Sequence, residues 1–497
     1  MRRLLLPLVV LLLIPFCVRG QAVDDNKLDA IVADAIKVFD VPGAAVVVVH
    51  DDKIVYLKGA GVRELGKDDA VTADTIFQIA SCTKAFLAML IAILVGDGVM
   101  DWDDPVHKHV PYFRLADPLA DQNVTIRDLL CHRTGLSRHD LLWYKSPLEP
   151  EDVLRQIGKV KLTTSFRSNW EYANIPFITA GTAAASADKR TLAESFKRRI
   201  FQPLGMKTAS ASAADFLKAD NRAVGYRREG PGKLERMTSL IYDSRGAGDI
   251  SASVRDLGQW LRFQLADGVH NGKRLVPVKP FRETHAAQMV VKMTDATRAN
   301  YPDVSQVSYA LGWFAYDYRG HAMLSHGGSL PGLRAQTVIV PKSKLGVVVL
   351  GNRNPSYMTE AVAKTIMDRF LNLPNKDWNG YYLGLEKKLR AEKAKKEASI
   401  ASKRVRNTKP SRELSSFAGV YQHPGYGKAV IAADDDGLLI RWSSFNVRLE
   451  HWHHDTFRNV APGEYVLEGE FLVFNFEADG SIRGFRWLGQ DFARAKK

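Results

Sequence analysis

The hydrophobic pattern changes texture several times along the chain. Residues 44–49, AAVVVV, and 54–57, IVYL, flank the polar HDDK and follow Pro42-Gly43, which predicts a β-hairpin. After Lys84 the chain reads AFLAMLIAILVGDG, an almost unbroken apolar run that predicts a buried helix stopping at Gly96 and Gly98. Between residues 100 and 260 helical and loop patterns dominate, as in TIRDLLCHRTGL at 125–136 and TLAESFKRRIFQPLGM at 191–206. From Val307 the strand texture returns in SYALGWFAYDY, HAMLSHGG, RAQTVIVP and KLGVVVLGN, and a helix over 358–372 closes this part. Strands at both ends with helices between them predict a mixed α/β unit with a helical insertion and a cleft at its interface. Residues 411–497 read as short strands (VYQHP, KAVIAA, LLIRWS, VRLEHW, EYVLEG, FLVFNF, IRGFRW) broken by Gly and Asp turns. They predict a separate small β domain, a sandwich or a barrel. No internal repeat is evident.

Composition refines this picture. The chain has 497 residues, 46% of them hydrophobic, and a formal net charge of +14. Half of that charge sits in residues 384–410, where ten Lys or Arg stand against three Glu. This Ala/Lys/Glu-rich stretch reads as an exposed helix and linker, with weak attraction to an anionic envelope surface. No nucleic-acid signature accompanies it, so no nucleic-acid partner is expected. The N-terminus, MRRLLLPLVVLLLIPFCVRGQA, has a basic start and a short apolar core too short to span a membrane comfortably. It is expected to be a signal peptide cleaved after Gly20, which makes the protein exported, periplasmic or secreted, with no transmembrane segment after cleavage. Phe16 before Cys17 is too bulky for a lipoprotein signal. The expected organisation is therefore a leader at 1–20, a main domain at 21–383, a basic linker at 384–410 and a β domain at 411–497.

Candidate chemistry begins at FQIASCTKAF. Ser81 falls at the predicted helix N-terminus and Lys84 one turn on, so hydroxyl and amine share a face. A nucleophilic serine needs a nearby base, which Lys84 can supply, and backbone donors for an oxyanion, which a helix N-terminus offers. The plain alternative is an N-cap serine and a first-turn lysine. Two further triplets bear on this: Tyr172-Ala173-Asn174, and His326-Gly327-Gly328 at a predicted strand end. Tyr172 is suited to proton exchange with the serine and the leaving group if Lys84 lowers its pKa. Asn174 is placed to bond Lys84 and a substrate amide. Gly327 and Gly328 allow close approach to substrate, and the Ser329 and Ser81 N–H groups would hold the oxyanion. Alone, each piece also fits a core tyrosine, a helix-cap asparagine or a histidine in a turn. Cys82 and Cys131 remain in the mature chain as a possible pair or as apolar fillers, with Cys82 a competing nucleophile. HWHHDTF at 451–457 suggests metal, but adjacent His454 points away from His451 and His453 in a strand.

FQIASCTKAF, TIRDLLCHRTGL, YANIPFITAG, IFQPLGM and SHGGSLPG together resemble the serine β-lactamase-related family, over about residues 27–373. That family includes class C β-lactamases, D-alanyl-D-alanine carboxypeptidases, D-aminopeptidases and esterases. The resemblance implies an antiparallel sheet flanked by helices, with a helical subdomain. It also implies Ser81 as the acylated nucleophile, Lys84 and Tyr172 as the acid/base pair, Asn174 and His326 lining the site, and no metal or cofactor. YAN stands where other branches have SDN, and HGG where many have KTG. A histidine in place of a permanent lysine charge weakens recognition of a substrate carboxylate, which favours peptides or esters over efficient β-lactam hydrolysis. Arg334 is either a replacement for that charge or a surface residue, and Arg138 and His139 are expected near the cleft. An α/β-hydrolase is excluded because no G-x-S-x-G follows HGG. Two other readings remain open: a penicillin-binding protein or sensor that is acylated with little turnover, and a binding module acting through the C-terminal domain.

Overall fold

The computed structural model describes residues 25–230, 232–238, 244–459 and 466–496. The expected leader at 1–20 lies outside the described residues, as does part of the expected strand EYVLEG; its last residues, from Val466, form a turn. Eight antiparallel strands build the main sheet. They are β1 (Gly43–His50), β2 (Lys53–Gly61), β3 (Met289–Val291), β4 (Val307–Tyr309), β5 (Phe314–Tyr318), β6 (His321–Leu330), β7 (Leu333–Val340) and β8 (Leu345–Gly351). Their spatial order is β2-β1-β8-β7-β6-β5-β4-β3. The N-terminal hairpin thus pairs with the last strand, through Ala44↔Gly351 to His50↔Leu345. That pairing explains why AAVVVV and GVVVLG read as continuous apolar runs. Both faces of these central strands are covered, and all but one of their residues are buried.

Helix α1 (Asp25–Phe39) and α6 (Met358–Phe370) cover one face; α6 meets Gly351, whose added Cβ would lie 2.8 Å from Met358 Cε. On the other face α4 (Val254–Leu265) packs on β1 and β8 through Gly258 against Val47 and Leu261 against Gly346. The helical part between β2 and β3 carries α2 (Thr83–Gly96) and α3 (Asn174–Asp188), both almost wholly buried. α2 ends at Gly96, where the sequence predicts.

The register around β6 positions the site. β7 pairs with β6 as far as Leu330↔Leu333, whereas β5 pairs only from His321 to Ser325, ending at Phe314↔Ser325. On the β5 side, therefore, His326–Leu330 is an edge without a strand partner among the described residues. Such an edge is a template for an extended ligand.

After α6, α7 (Trp378–Ser402) is one continuous helix through the basic stretch. Its Glu397 accepts an ion pair from Arg458 of the β domain. That domain is a closed barrel of eight antiparallel strands, from Gly419–His423 to Gln490–Arg494, sealed by Tyr421↔Arg494. Its interior is filled with side chains such as Phe417, Phe474, Phe485 and Trp487. Strands Thr456–Asn459 and Gln490–Arg494 are additions to the sequence expectation. The barrel docks by its first hairpin: Tyr426 Oη bonds His139 Nδ1 at 2.8 Å in a buried contact, and Gly425 presses on Val160. No described helix is long and apolar enough to cross a membrane.

Tyr426→Phe removes one buried hydrogen bond and leaves the His139 nitrogen unpaired. It is expected to destabilise the protein by about 1 kcal/mol, read as a lower midpoint in chemical or thermal unfolding.

Candidate active site

Ser81 lies in a single 3-10 turn, Ala80–Cys82, that runs directly into α2. Its entry is strained, with Ala80 in the left-handed region at φ +49°. A non-glycine residue there costs on the order of 1 kcal/mol. Neighbours hold it: Ile79 N–H donates to Ile250 O at 2.9 Å, and Cys82 Sγ donates to His326 O at 3.2 Å. The strained turn leaves Ser81 partly exposed while its neighbours Ala80 and Cys82 are buried. Burial pushes the Cys82 thiol up to about 12, so it is no competing nucleophile. Cys131 is likewise buried, and both cysteines are free thiols.

The Lys84 amine is fully buried. It bonds Ser81 Oγ at 3.1 Å, Asn174 Oδ1 at 2.8 Å and Ala247 O at 2.7 Å. Desolvation, and then the nearby Arg138 charge, lower it to about 7. A neutral amine has two N–H groups. The asparagine and backbone carbonyls can only accept and so claim both, which leaves the nitrogen lone pair facing the serine hydroxyl. The Ala247 carbonyl is set by a turn in which Asp249 Oδ1 accepts from Ser244 Oγ and the Gly246 N–H.

Asn174 opens α3, and its side chain caps nothing. Its Nδ2 donates to Asp140 Oδ1 at 2.9 Å; the other Asp140 oxygen accepts from Arg138 Nε at 2.8 Å. A polar relay thus runs from Lys84 to the exposed Arg138 guanidinium, which lies 5.5 Å over the Tyr172 ring. The condition that Lys84 lower Tyr172 is not met. The amine sits 5.1 Å from the ring centroid, and burial raises the phenol well above its usual range despite its hydrogen bond with Ser81. Tyr172 is therefore a standing proton donor. Behind it is the buried His132, 4.3 Å from the Tyr172 ring. Its Nδ1 accepts from the Ala173 N–H at 3.3 Å, and burial holds it neutral, far below its ordinary value.

On β6 the backbone approaches the nucleophile turn closely. A Cβ on Gly328 would lie 2.0 Å from Ile79 O, whereas one on Gly327 would come closest to the movable Gln336 side chain, at 3.1 Å, with the Ala335 carbonyl at an ordinary 3.8 Å. Gly328 is thus required by the Ser81 turn as well as by any substrate. His326 lines the cleft as a neutral ring: Nδ1 faces Gly327 O at 2.8 Å, Nε2 faces Tyr309 Oη at 3.0 Å, and burial lowers it to about 3. Arg334 is not a surface residue, and its charge is matched by Glu360, so it supplies no spare cation. His139 does not line the cleft either, because its ring is turned to Tyr426 of the barrel. Ser329 Oγ accepts from Asn354 Nδ2 at 2.9 Å.

Two cavities meet at Ser81, Arg138 and Ser329. The larger, of 590 Å³, is lined by Tyr172, Trp170 and His326. The smaller, of 370 Å³, is lined by Asn174, Trp143 and Val466, the last from the barrel. Among the described residues no group of three or more His, Cys, Asp or Glu is arranged to hold a metal. His451 instead faces the His454 carbonyl, and His453 Nδ1 accepts from the Val405 N–H.

A buried amine facing a serine hydroxyl beside a protonated phenol, on a helix-flanked antiparallel sheet, defines a serine hydrolase of the β-lactamase fold. The chain belongs to the Beta-lactamase family, whose model matches residues 28–371. Residues 403–496 match a domain of unknown function (DUF3471). The chain is 26% identical over 435 residues to an unguisins hydrolase of Aspergillus campestris, covering 84% of this chain and 79% of that protein. In structure it resembles an octameric penicillin-binding protein homologue from Pyrococcus abyssi, with TM-score 0.61 and 20% identity, over 95% of this chain and all of the other. It also resembles the D-amino acid amidase of Ochrobactrum anthropi, with TM-score 0.58 and 22% identity, over 70% of this chain and 97% of that one.

Sequence reading missed Asp140, His132 and Tyr309. RHD after HRTGL offered a signal for Asp140, since a carboxylate beside Arg138 invites pairing. His132 and Tyr309 carry no local signal.

The glycine geometry gives a graded expectation. Gly328→Ala must displace the Ile79–Ser81 backbone and should lower the thermal midpoint and cut turnover by at least tenfold. Gly327→Ala comes closest to a movable side chain and should lower the midpoint much less; equal midpoints would contradict this.

Proposed function

We propose that this protein is an exported serine hydrolase that cleaves amide or ester bonds through a Ser81 acyl-enzyme, on D-amino-acid peptides, esters or β-lactam-type compounds. The observation that carries the mechanism is the Lys84 amine, buried, held by two acceptors and poised near neutrality beside Ser81. Lys84 takes the Ser81 proton as Ser81 Oγ bonds to the substrate carbonyl carbon. The Ser81 and Ser329 N–H groups hold the oxyanion. Tyr172 gives its proton to the departing nitrogen or oxygen and regains one from the Lys84 ammonium, so the serine proton ends on the leaving group. Water then enters, and the same groups working in reverse release the acid. Names among the relatives, an unguisins hydrolase and a D-amino acid amidase, support the substrate class. The neutral His326 and the matched Arg334 disfavour efficient turnover of β-lactams carrying a carboxylate at this point. Export rests on the N-terminal MRRLLLPLVVLLLIPFCVRG, and the basic α7 supports contact with an anionic envelope surface.

Intact-mass spectrometry of the mature protein with a penicillin, and separately with an activated ester, should show an adduct or a burst that vanishes in Ser81→Ala. A long-lived penicillin adduct would point to a penicillin-binding role, and neither adduct nor burst would overturn the acyl-enzyme. The pH profile adds a second check. A base must be unprotonated, so kcat/KM for the ester should rise with pH through about 7, and Lys84→Met should abolish turnover.

A further inference from the structure

Asp140 lines the smaller cavity, yet no step of the mechanism uses it. It opens a single 3-10 turn, Asp140–Leu142, and the Trp143 and Tyr144 N–H groups donate to its carbonyl at 3.1 and 2.8 Å. The side chain is thus fixed at its root. Its Oδ1 accepts from Asn174 Nδ2 at 2.9 Å and from Trp143 Nε1 at 3.1 Å. Its Oδ2 accepts from Arg138 Nε at 2.8 Å, and Arg138 Nη2 lies 2.6 Å from it. Donors from three side chains converge on one carboxylate, a group that when ionised only accepts.

An asparagine amide has an accepting end and a donating end of nearly equal size, so packing alone does not choose between them. Asn174 is buried between Lys84 and Asp140, and here the choice matters. With Oδ1 toward Lys84, the amide takes one amine N–H and the Ala247 carbonyl takes the other, which leaves the lone pair for the Ser81 hydroxyl. Turned over, the amide would donate to that lone pair and compete with the serine for it. Its oxygen would then face the Asp140 carboxylate, acceptor against acceptor, and the lost bond in a buried site is costly. A carboxylate at this position therefore forbids the turned-over amide.

We infer that Asp140 is a positioning residue for the base: by accepting from Asn174 Nδ2 it fixes the oxygen end of that amide on Lys84 and so reserves the amine lone pair for Ser81. This rests on the acyl-enzyme reading and adds to it the group that orients the base. Asp140 acts through Asn174, and its charge acts alongside. Arg138 disfavours the Lys84 ammonium, whereas Asp140 and, from the Ala247 turn, Asp249 favour it. The other titratable groups facing the amine carry no charge at neutral pH: burial raises Cys82 and Tyr172 and lowers His132 and His326.

The test is a double-mutant cycle on the full-length protein with p-nitrophenyl acetate, whose acetyl group is too small to depend on the Trp143 wall. Asp140→Leu keeps a branched side chain and removes the acceptor. It is expected to cut kcat by about tenfold or more with little change in KM, and to cost little further in an Asn174→Ala background. Asp140→Asn is made in the Arg138→Gln background, so that its amide meets no guanidinium. There the Trp143 indole, a donor only, selects the amide oxygen, and the variant should keep most of the kcat of Arg138→Gln. Having lost a negative charge that favours the ammonium, it should also titrate Lys84 at lower pH than Arg138→Gln does. That titration is read by NMR of lysines labelled with carbon-13 at Cε, with Lys84 assigned through Lys84→Met. Circular dichroism checks that each variant is folded, and Asp140→Ala replaces Asp140→Leu if the latter is not. Losses that simply add across the cycle, wild-type kcat in Asp140→Leu, or an Asp140→Asn variant as impaired as Asp140→Leu each overturn the proposal. An unmoved Lys84 titration removes the part assigned to charge. The Ser81 adduct is measured on the wild type from the same preparations. An intact adduct with additive losses rejects only this inference, and no adduct rejects the catalytic reading itself.

Discussion

The structure turns on keeping a lysine amine dry. Burying Lys84 disfavours its charged form, and the shift from 10.5 to about 7 corresponds to a few kcal/mol of stability at neutral pH. The sign follows from linkage: the unfolded chain binds this proton more tightly, so the cost is full below pH 7 and fades as pH rises toward the ordinary lysine range. The same displacement makes the amine a base near neutrality. Stability is exchanged for reactivity at one side chain, and the surroundings limit the exchange by giving both amine N–H groups an acceptor.

Those surroundings come from distant parts of the chain. Asn174 opens a helix 90 residues on, and Ala247 lies in a turn 163 residues on. Each is held by a carboxylate of its own, Asp140 or Asp249. Strand β6 supplies the other boundary. Its contact with the nucleophile turn at Gly328 is so close that no side chain fits, and the His326 carbonyl takes the Cys82 thiol. The strained Ala80 is thus clamped between β6 and Ile250, which is how a strained turn persists in a folded protein.

Much of this was legible in the sequence where chemistry is local. Ser81 and Lys84 are one turn apart, Tyr172 and Asn174 share a triplet, and the β1 and β8 runs are apolar on both faces. What was not legible is direction. Arg334 looked like a candidate cation, but strand alternation alone does not reveal that its face meets Glu360. His139 follows Arg138 in sequence, yet one faces the cleft and the other the barrel. Tyr172 was read as a proton carrier on the condition that Lys84 lowers it, but burial of the phenol raises it instead. In the barrel, Thr456–Asn459 and Gln490–Arg494 are short and half polar, too weak a pattern to register as strands before closure pairs them.

The two cavities differ in who builds them. The one facing Asn174 is completed by Val466 of the barrel, next to the seam where Tyr426 holds His139. The one facing Tyr172 is built entirely by the main domain, between β6, the aromatic strands beside it and α6. Arg138 touches both and is tied through Asp140 and Asn174 to Lys84. The barrel hairpin bonds His139, the residue next to Arg138 in the chain. The small β domain thus meets the main domain beside the site through two side chains, Tyr426 and Val466, as well as through the chain.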